Sequence, residues 1–281
     1  MTTLAVPRFL PVFKIPLLDR IAYPATAVFV LIALVGPWIA PHDPYQVDLN
    51  QALLAPGAGH WLGTDSAGRD ILSRLLAGAR TTVLSSVVVT VGAAVVGIVV
   101  AAVAALGGRV VDEVVMRVCD IFLSIPGMIL ALGVAAALGP SLRSTIIALV
   151  VALWPAFARL VRAVLRETMA STYVESARTL GVPPGRLMLR HVLPNSLDSL
   201  YVQAALDVSG VIVLMSGLSF LGVGAQPPSA DWGAMVADGR EYVTTAWWVA
   251  TVPGLAITLT AVVFGLFGDA LRVRLDPTLG D

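Results

Sequence analysis

The chain has 281 residues, of which 57% are hydrophobic and only 13% charged, with 18 basic and 18 acidic side chains in balance. Soluble domains carry about 25% charged residues, so this composition excludes a water-soluble globule, and zero net charge leaves no basic field for nucleic acid. The one cysteine, Cys119, excludes a disulfide framework and a cysteine-based zinc site.

The chain reads as an all-α integral membrane protein. A helix crossing the hydrocarbon needs about 20 apolar residues, and the charges divide this chain into stretches of that size. Six spans are expected, near 21–40, 82–106, 121–139, 144–165, 199–221 and 247–270. Residues 1–20 form an N-terminal tail. The first span is longer than a signal-peptide core, and Trp38-Ile39-Ala40-Pro41 is a poor cleavage site, so it is expected to stay. Residues 41–81 make a loop in which Asp70–Leu76 is amphipathic, with Ile71, Leu72, Leu75 and Leu76 set against Asp70, Ser73 and Arg74. This segment is expected to lie as a surface helix before the second span.

In span two, Ala93, Gly97, Ala101 and Ala105 recur every four residues, a stripe that lets helices approach closely. Pro126 in span three and Pro253-Gly254 in span six are expected to kink their helices. Arg159, Arg162 and Arg166 at the end of span four are placed to anchor on anionic headgroups. In span five, Asp207 lies at a depth where an acid should face a watery lumen or a partner, and Gln203 sits one turn away. These two are candidates for lining a translocation pathway; a structural pairing is the alternative. With the N-terminus inside, the inner segments hold most of the 18 Lys and Arg, so both termini, including the 272–281 tail, are expected to be cytoplasmic.

The longest polar inner segment, 166–195, holds the clearest local signals. Thr172 and Glu175 have capping-box spacing, Gly181 offers a left-handed stop, and Pro183 prevents continuation. They predict a helix of about two turns with Tyr173, Ala177 and Leu180 on one face. So short a helix is marginal in water and needs something packed on it. A membrane surface and a cytoplasmic partner both remain open.

Sites of chemistry are harder to find. The single lysine, Lys14, follows no glycine-rich loop, so a phosphate-cradling loop is excluded and any ATP must be bound by another chain. His42, His60 and His191 lie apart, at no metal-ligand spacing, and no metal site or catalytic residue is expected.

Glu175-Ser176-Ala177, Gly181 and Leu193-Pro194 resemble the cytoplasmic loop motif of ABC importer permeases, with Ser176 for the usual Ala and His191 for the usual Ile. Two further segments narrow the resemblance. One is His60-Trp61-Leu62-Gly63-Thr64-Asp65-Ser66-Ala67-Gly68-Arg69-Asp70. The other comprises Leu218-Ser219-Phe220-Leu221-Gly222, Asp231-Trp232-Gly233 and Gly268-Asp269-Ala270-Leu271-Arg272. Over about residues 40–279 the chain is similar to the C-type permease subunit of dipeptide and oligopeptide ABC importers. Where many relatives have a Glu before Leu-Ser-Phe-Leu-Gly, this chain has Leu214-Met215-Ser216.

The resemblance implies a type I ABC importer permease fold with a core of five spans over 82–271. It implies coupling to an ATPase subunit through Glu175, Ala177 and Gly181, which Tyr173 and Leu180 join from the helix face. It also implies a docking rim for a substrate-binding protein, with Asp65, Arg69, Asp70, Asp231, Trp232 and Arg240 as candidates, although Trp232, Trp247 and Trp248 read rather as interfacial anchors. The implied partners are a second permease subunit, two ATP-binding subunits carrying ATP and Mg, the binding protein and membrane lipids. The implied substrate is a di- or oligopeptide. Another solute such as a nickel chelate, and a secondary transporter working alone, stay open.

Overall fold

A computed structural model describes residues 16–275. Ten α-helices follow in order: α1 Pro16–Ile39, α2 Ile71–Leu106, α3 Gly108–Leu123, α4 Gly127–Leu138, α5 Leu142–Met169, α6 Thr172–Thr179, α7 Pro184–Leu187, α8 Leu197–Phe220, α9 Trp232–Gly239 and α10 Trp248–Leu275. Among the described residues there is no strand, only an isolated bridge between Thr64 and Asp70. Five helices are long and apolar enough to cross a membrane, and α3 with α4 makes a sixth span if the bent pair is counted as one.

Two expectations about these spans are corrected. The segment from Ile71 to Leu76 is not a separate surface helix. It is the opening of α2, which runs 36 residues without a break. At about 1.5 Å per residue α2 is about 54 Å long, well beyond the roughly 30 Å of hydrocarbon. Its amphipathic beginning therefore extends past the apolar layer as part of the span. Pro126 does more than kink span three. Ser124, Ile125 and Pro126 separate α3 from α4, and the two helices meet at 88°. A proline has no N–H to donate and pushes the preceding residue, here Ile125, out of the helical region. Pro126 then caps α4, and the N–H of Ile129 donates to its carbonyl at 2.9 Å. In span six the helix continues through Pro253.

The bundle is organised around two close pairs, α2 on α5 and α8 on α10, with α1 laid against α2 and α10. The small-residue stripe explains the first pair. Ala93 and Ala101 are fully buried. A Cβ on Gly97 would stand 2.5 Å from Phe157 Cβ and 2.8 Å from the Ala158 nitrogen. The stripe therefore packs within the chain, with the backbones of α2 and α5 at closest approach there. At the end of the bundle where α2 begins, Ile71, Val83, Trp232, Met235, Trp248 and Phe264 share one core. Where α5 ends, a second core gathers Val161, Leu165, Val174, Leu187, Met188 and Val192.

Helix α9, which falls inside a stretch read only as loop, is wedged between α8 and α10. A Cβ on Gly233 would meet the Ser216 carbonyl oxygen at 2.2 Å, and one on Gly239 the Ala250 nitrogen at 2.6 Å. Those two glycines admit the wedge on its two sides.

Arg159, Arg162 and Arg166 also have partners within the chain, which the sequence reading did not name. Arg159 pairs with Asp120, while Arg162 and Arg166 both pair with Asp112. They fasten the end of α5 to α3. The carboxylates were in reach because the chain doubles back at Gly107–Gly108, which sequence spacing does not reveal.

Candidate functional site

The 166–195 segment builds a short helix on a firm mount. Helix α6 spans Thr172–Thr179, close to the expected two turns. Its start differs from the expected capping box. Ser171 is the N-cap and makes no side-chain cap bond; its hydroxyl donates at 2.6 Å to the Thr168 carbonyl in the last turn of α5. Thr172 is already helical, so it cannot close the box with Glu175. The end is as expected. Gly181 has φ of +80°, the N–H of Gly181 donates to Arg178 O at 2.9 Å, and that of Val182 to Ala177 O at 3.2 Å. This double closure satisfies carbonyls that a helix end leaves unpaired.

The buried face of α6 is rotated from the expected one. Val174 is fully buried against Val161, Leu165, Leu187 and Met188, and Ala177 is half-buried beside it. Leu180 is 84% exposed and Tyr173 45% exposed, so two of the three residues assigned to the covered face point outward. Tyr173 is tacked at its tip instead, its Oη accepting from Asn195 Nδ2 at 3.3 Å. Glu175 and Gly181 are exposed. Helix α6 thus needs no lipid or partner to be held, and it presents Tyr173, Glu175, Leu180 and Gly181 as a free surface.

In α8, Gln203 Nε2 donates to Asp207 Oδ1 at 2.9 Å, and both side chains are half-buried. Among the described residues Asp207 has no ion-pair partner. The pair is bonded within a single helix turn.

The residues expected to frame a docking rim are mostly interior. Asp65, Asp70, Asp231 and Trp232 are each at most 4% exposed. Asp65 Oδ2 accepts from Arg69 Nε at 2.7 Å and lies 3.4 Å from Arg74 Nε, while Arg69 reaches Asp238 of α9 at 3.8 Å. Asp70 caps α2, accepting at 2.8 Å from the Ser73 N–H. Burial pushes its carboxyl up, but the side-chain and backbone hydrogen bonds from Ser73 pull it down, and the balance lies below the usual carboxylate value. Asp231 caps α9, accepting from the Ala234 N–H at 3.0 Å, and burial holds its carboxyl above the usual range.

Trp232 Nε1 donates to Leu75 O at 3.0 Å and Trp248 Nε1 to Thr64 O at 3.3 Å. Trp248 thereby clamps the 41–70 loop to the bundle and Trp232 joins α9 to α2, both buried rather than marking a lipid interface. Of Trp232, Trp247 and Trp248, only Trp247, 55% exposed, is placed for that. Of the rim candidates Arg240 alone is exposed. Asp65 is turned onto arginines, Asp70 and Asp231 cap helices and Trp232 bonds α2, and groups so buried offer a docked protein no surface, so the rim assignment is corrected for these four. Sequence reading also missed Val174 and Asp238, whose partners lie in other elements. It missed the meeting of His42 with His60 as well, for which their shared polar loop was the one available signal.

The family described as the binding-protein-dependent transport system inner membrane component matches residues 93–281. The N-terminal transmembrane domain of oligopeptide transport permease C matches residues 26–56, so similarity begins inside the first span rather than near residue 40. A probable D,D-dipeptide transport system permease of Escherichia coli K12 is 45% identical over 254 residues, covering 90% of this chain and 85% of that protein. A di/tripeptide transport system permease of Pseudomonas aeruginosa is 41% identical over 261 residues, with the same coverage. A nickel transport system permease of Escherichia coli K12 is 38% identical over 260 residues, covering 92% and 94%. Among solved structures, a chain of the inward-facing MetNI methionine ABC transporter matches with a TM-score of 0.57 at 21% identity, over 72% of this chain and 96% of that one. That likeness supports the type I permease fold. The relatives named are permease components of transport systems rather than enzymes, and such components operate with ATPase and binding-protein partners. The chain belongs to the binding-protein-dependent transport system inner membrane components and is a multi-pass permease component of an ABC importer.

Proposed function

We propose that this chain is one of two transmembrane subunits through which a di- or oligopeptide, delivered by a binding protein, enters the cytoplasm. Two cytoplasmic ATPase subunits bind ATP and Mg, and the second permease subunit completes the pathway. The peptide assignment rests on relatives whose names specify peptide transport, at 41% and 45% identity. Both termini lie in the cytoplasm, an orientation supported by the distribution of Lys and Arg. The 166–195 segment then faces the ATPase subunits.

The observation that carries the coupling role is the mounting of α6. Val174 fixes the helix to the core formed by α5 and α7, while Tyr173, Glu175, Leu180 and Gly181 remain exposed. A projecting helix that is rigid with respect to the bundle transmits force, because displacing it displaces α5 and α8. In the proposed cycle, closure of the ATPase subunits pulls α6 and the bundle turns outward-facing; hydrolysis resets it. Moving such an equilibrium from 1:99 to 99:1 takes about 5.5 kcal/mol of differential binding, which the docked helix has to carry.

Glu175→Lys reverses a charge on the free surface without touching Val174. Expected is normal membrane assembly with uptake reduced at least about tenfold, the ratio produced by about 1.4 kcal/mol of lost docking energy. ATPase stimulation by the loaded binding protein falls with it. Wild-type uptake in this variant, measured in proteoliposomes with all partners present, rejects the coupling role. The substrate class is tested separately by mass spectrometry of the ligand on the co-purified binding protein. A peptide supports the assignment, and a nickel chelate replaces it.

A further inference from the structure

The 41–70 loop brings together two imidazoles and a buried carboxylate that the transport reading does not use. His42, His60 and Asp70 offer ligand atoms that all lie within 4.8 Å of one another. His60 Nδ1 is 2.9 Å from Asp70 Oδ1, and His42 Nδ1 is 3.7 Å from Asp70 Oδ2. The two imidazole rings are neighbours in a tilted arrangement, centroids 4.8 Å apart at 37°. They open on a cavity of about 140 Å3 whose walls include Asp43 and Asp48 but no Lys or Arg.

Hydrogen bonding determines where the protons are. A carboxylate only accepts, so the Gln51 atom 3.0 Å from Asp48 Oδ2 is the amide nitrogen. The Gln51 carbonyl oxygen is then the atom 2.6 Å from His60 Nε2, and it requires a donor. In the neutral ring the proton therefore sits on Nε2, which leaves a bare lone pair on Nδ1. That lone pair points at Asp70 Oδ1. The other oxygen, Oδ2, already accepts from the N–H and the hydroxyl of Ser73.

The Asp70 side chain is 1% exposed, and its ion-pair partners among the described residues are the two histidines alone. A lone pair set against a buried carboxylate is repulsive, and a cation coordinated by both, off the line that joins them, reverses the sign.

We propose that His42, His60 and Asp70 form a binding site for a borderline divalent transition ion of the zinc, nickel and copper class. Two imidazole nitrogens and one carboxylate oxygen suit these ions, whereas magnesium and calcium favour all-oxygen shells. Three protein ligands leave a fourth, open position, and the cavity has room for water there, at about 30 Å3 per molecule. Asp43 and Asp48 add negative potential at the entrance. The ion joins residue 42, just beyond α1, to residue 60 and to the cap of α2, so it clips the loop shut at three points. The site stands apart from the transport reading and does not depend on it.

The test uses the full chain in detergent, purified through a tag without histidine, stripped with a chelator and titrated with Co2+, whose visible absorption reports low-coordinate nitrogen and oxygen ligation. Expected is saturable binding of one Co2+ per chain, displaced by Zn2+, with affinity reduced at least about tenfold in His42→Ala, as even loss of an outer partner costs 10–100-fold at metal sites. His42→Ala leaves the His60–Asp70 contact and the α2 cap in place. A wild-type chain with no saturable Co2+ band overturns the proposal and leaves a proton on His60 as the cation. Equal affinity in wild type and variant overturns it too. A second measurement needs no variant: bound Co2+ should protect His42 and His60 from acylation by diethyl pyrocarbonate, and unchanged reactivity of both rings also defeats the site.

Discussion

At Asp231 one side chain combines a favourable role with a costly one. Its carboxylate oxygen accepts the Ala234 N–H and caps α9, yet burial keeps its carboxyl above the ordinary value. A group whose folded-state pKa is raised binds its proton more tightly in the fold, so its contribution is fully present below the unfolded pKa and is lost as pH rises through the folded one. Asparagine caps as well as aspartate and carries no charge. Asp231→Asn is therefore expected to be at least as stable as wild type at neutral pH, with the difference shrinking as pH falls toward 4. Asp231→Ala loses the cap and about 1 kcal/mol. Thermal unfolding in detergent across that pH range checks both.

The opposite sign holds at Asp70, depressed overall despite its burial. Its stabilising contribution is present above the unfolded value and is lost only as pH falls below it. Acid sequence motifs that look equivalent on paper thus separate once the donors around them are known.

At the scale of elements, closeness of backbones decides what each helix tolerates. Gly97 is where α2 meets α5, with the Phe157 Cβ at 2.5 Å from a hypothetical Cβ. Gly97→Val forces the two helices apart, and overpacking of this kind costs about 1–3 kcal/mol. The expected result is a lower unfolding temperature with α6 still attached to its core through Val174, detectable as unchanged protease resistance of the 166–195 segment at low temperature. The stripe containing Gly97 was legible from its four-residue repeat. The bend between α3 and α4 was only half legible: Pro126 announced a disturbance, but the 88° turn also depends on where α3 can fasten. Asp112 and Asp120 hold α3 to Arg162, Arg166 and Arg159 of α5. Sequence spacing of about 40 to 50 residues gives no hint of such pairs.

Across the whole molecule, the proposed transport cycle needs a path as well as a lever. Asp207 and Gln203 are the polar pair within α8, bonded to each other at 2.9 Å. If these two candidates line the path, Asp207→Ala leaves the subunits assembled while uptake falls, whereas unchanged uptake in proteoliposomes removes the pair from it. Removing an acid that has no ion-pair partner among the described residues breaks no salt bridge, so loss of assembly is not expected.

By itself the sequence determined the membrane class, the approximate limits of the first, fourth, fifth and sixth spans, the short helix of the 166–195 segment and its glycine stop. These follow from local hydropathy, chain geometry and capping, which depend on neighbours a few residues apart. Tertiary structure decided which face of α6 is buried, turned the supposed rim acids inward, wedged α9 between α8 and α10, and brought His42 beside His60. Each of those outcomes depends on which distant groups share a desolvated space. An unpaired carboxylate or indole N–H there is costly enough to find a partner anywhere along the chain.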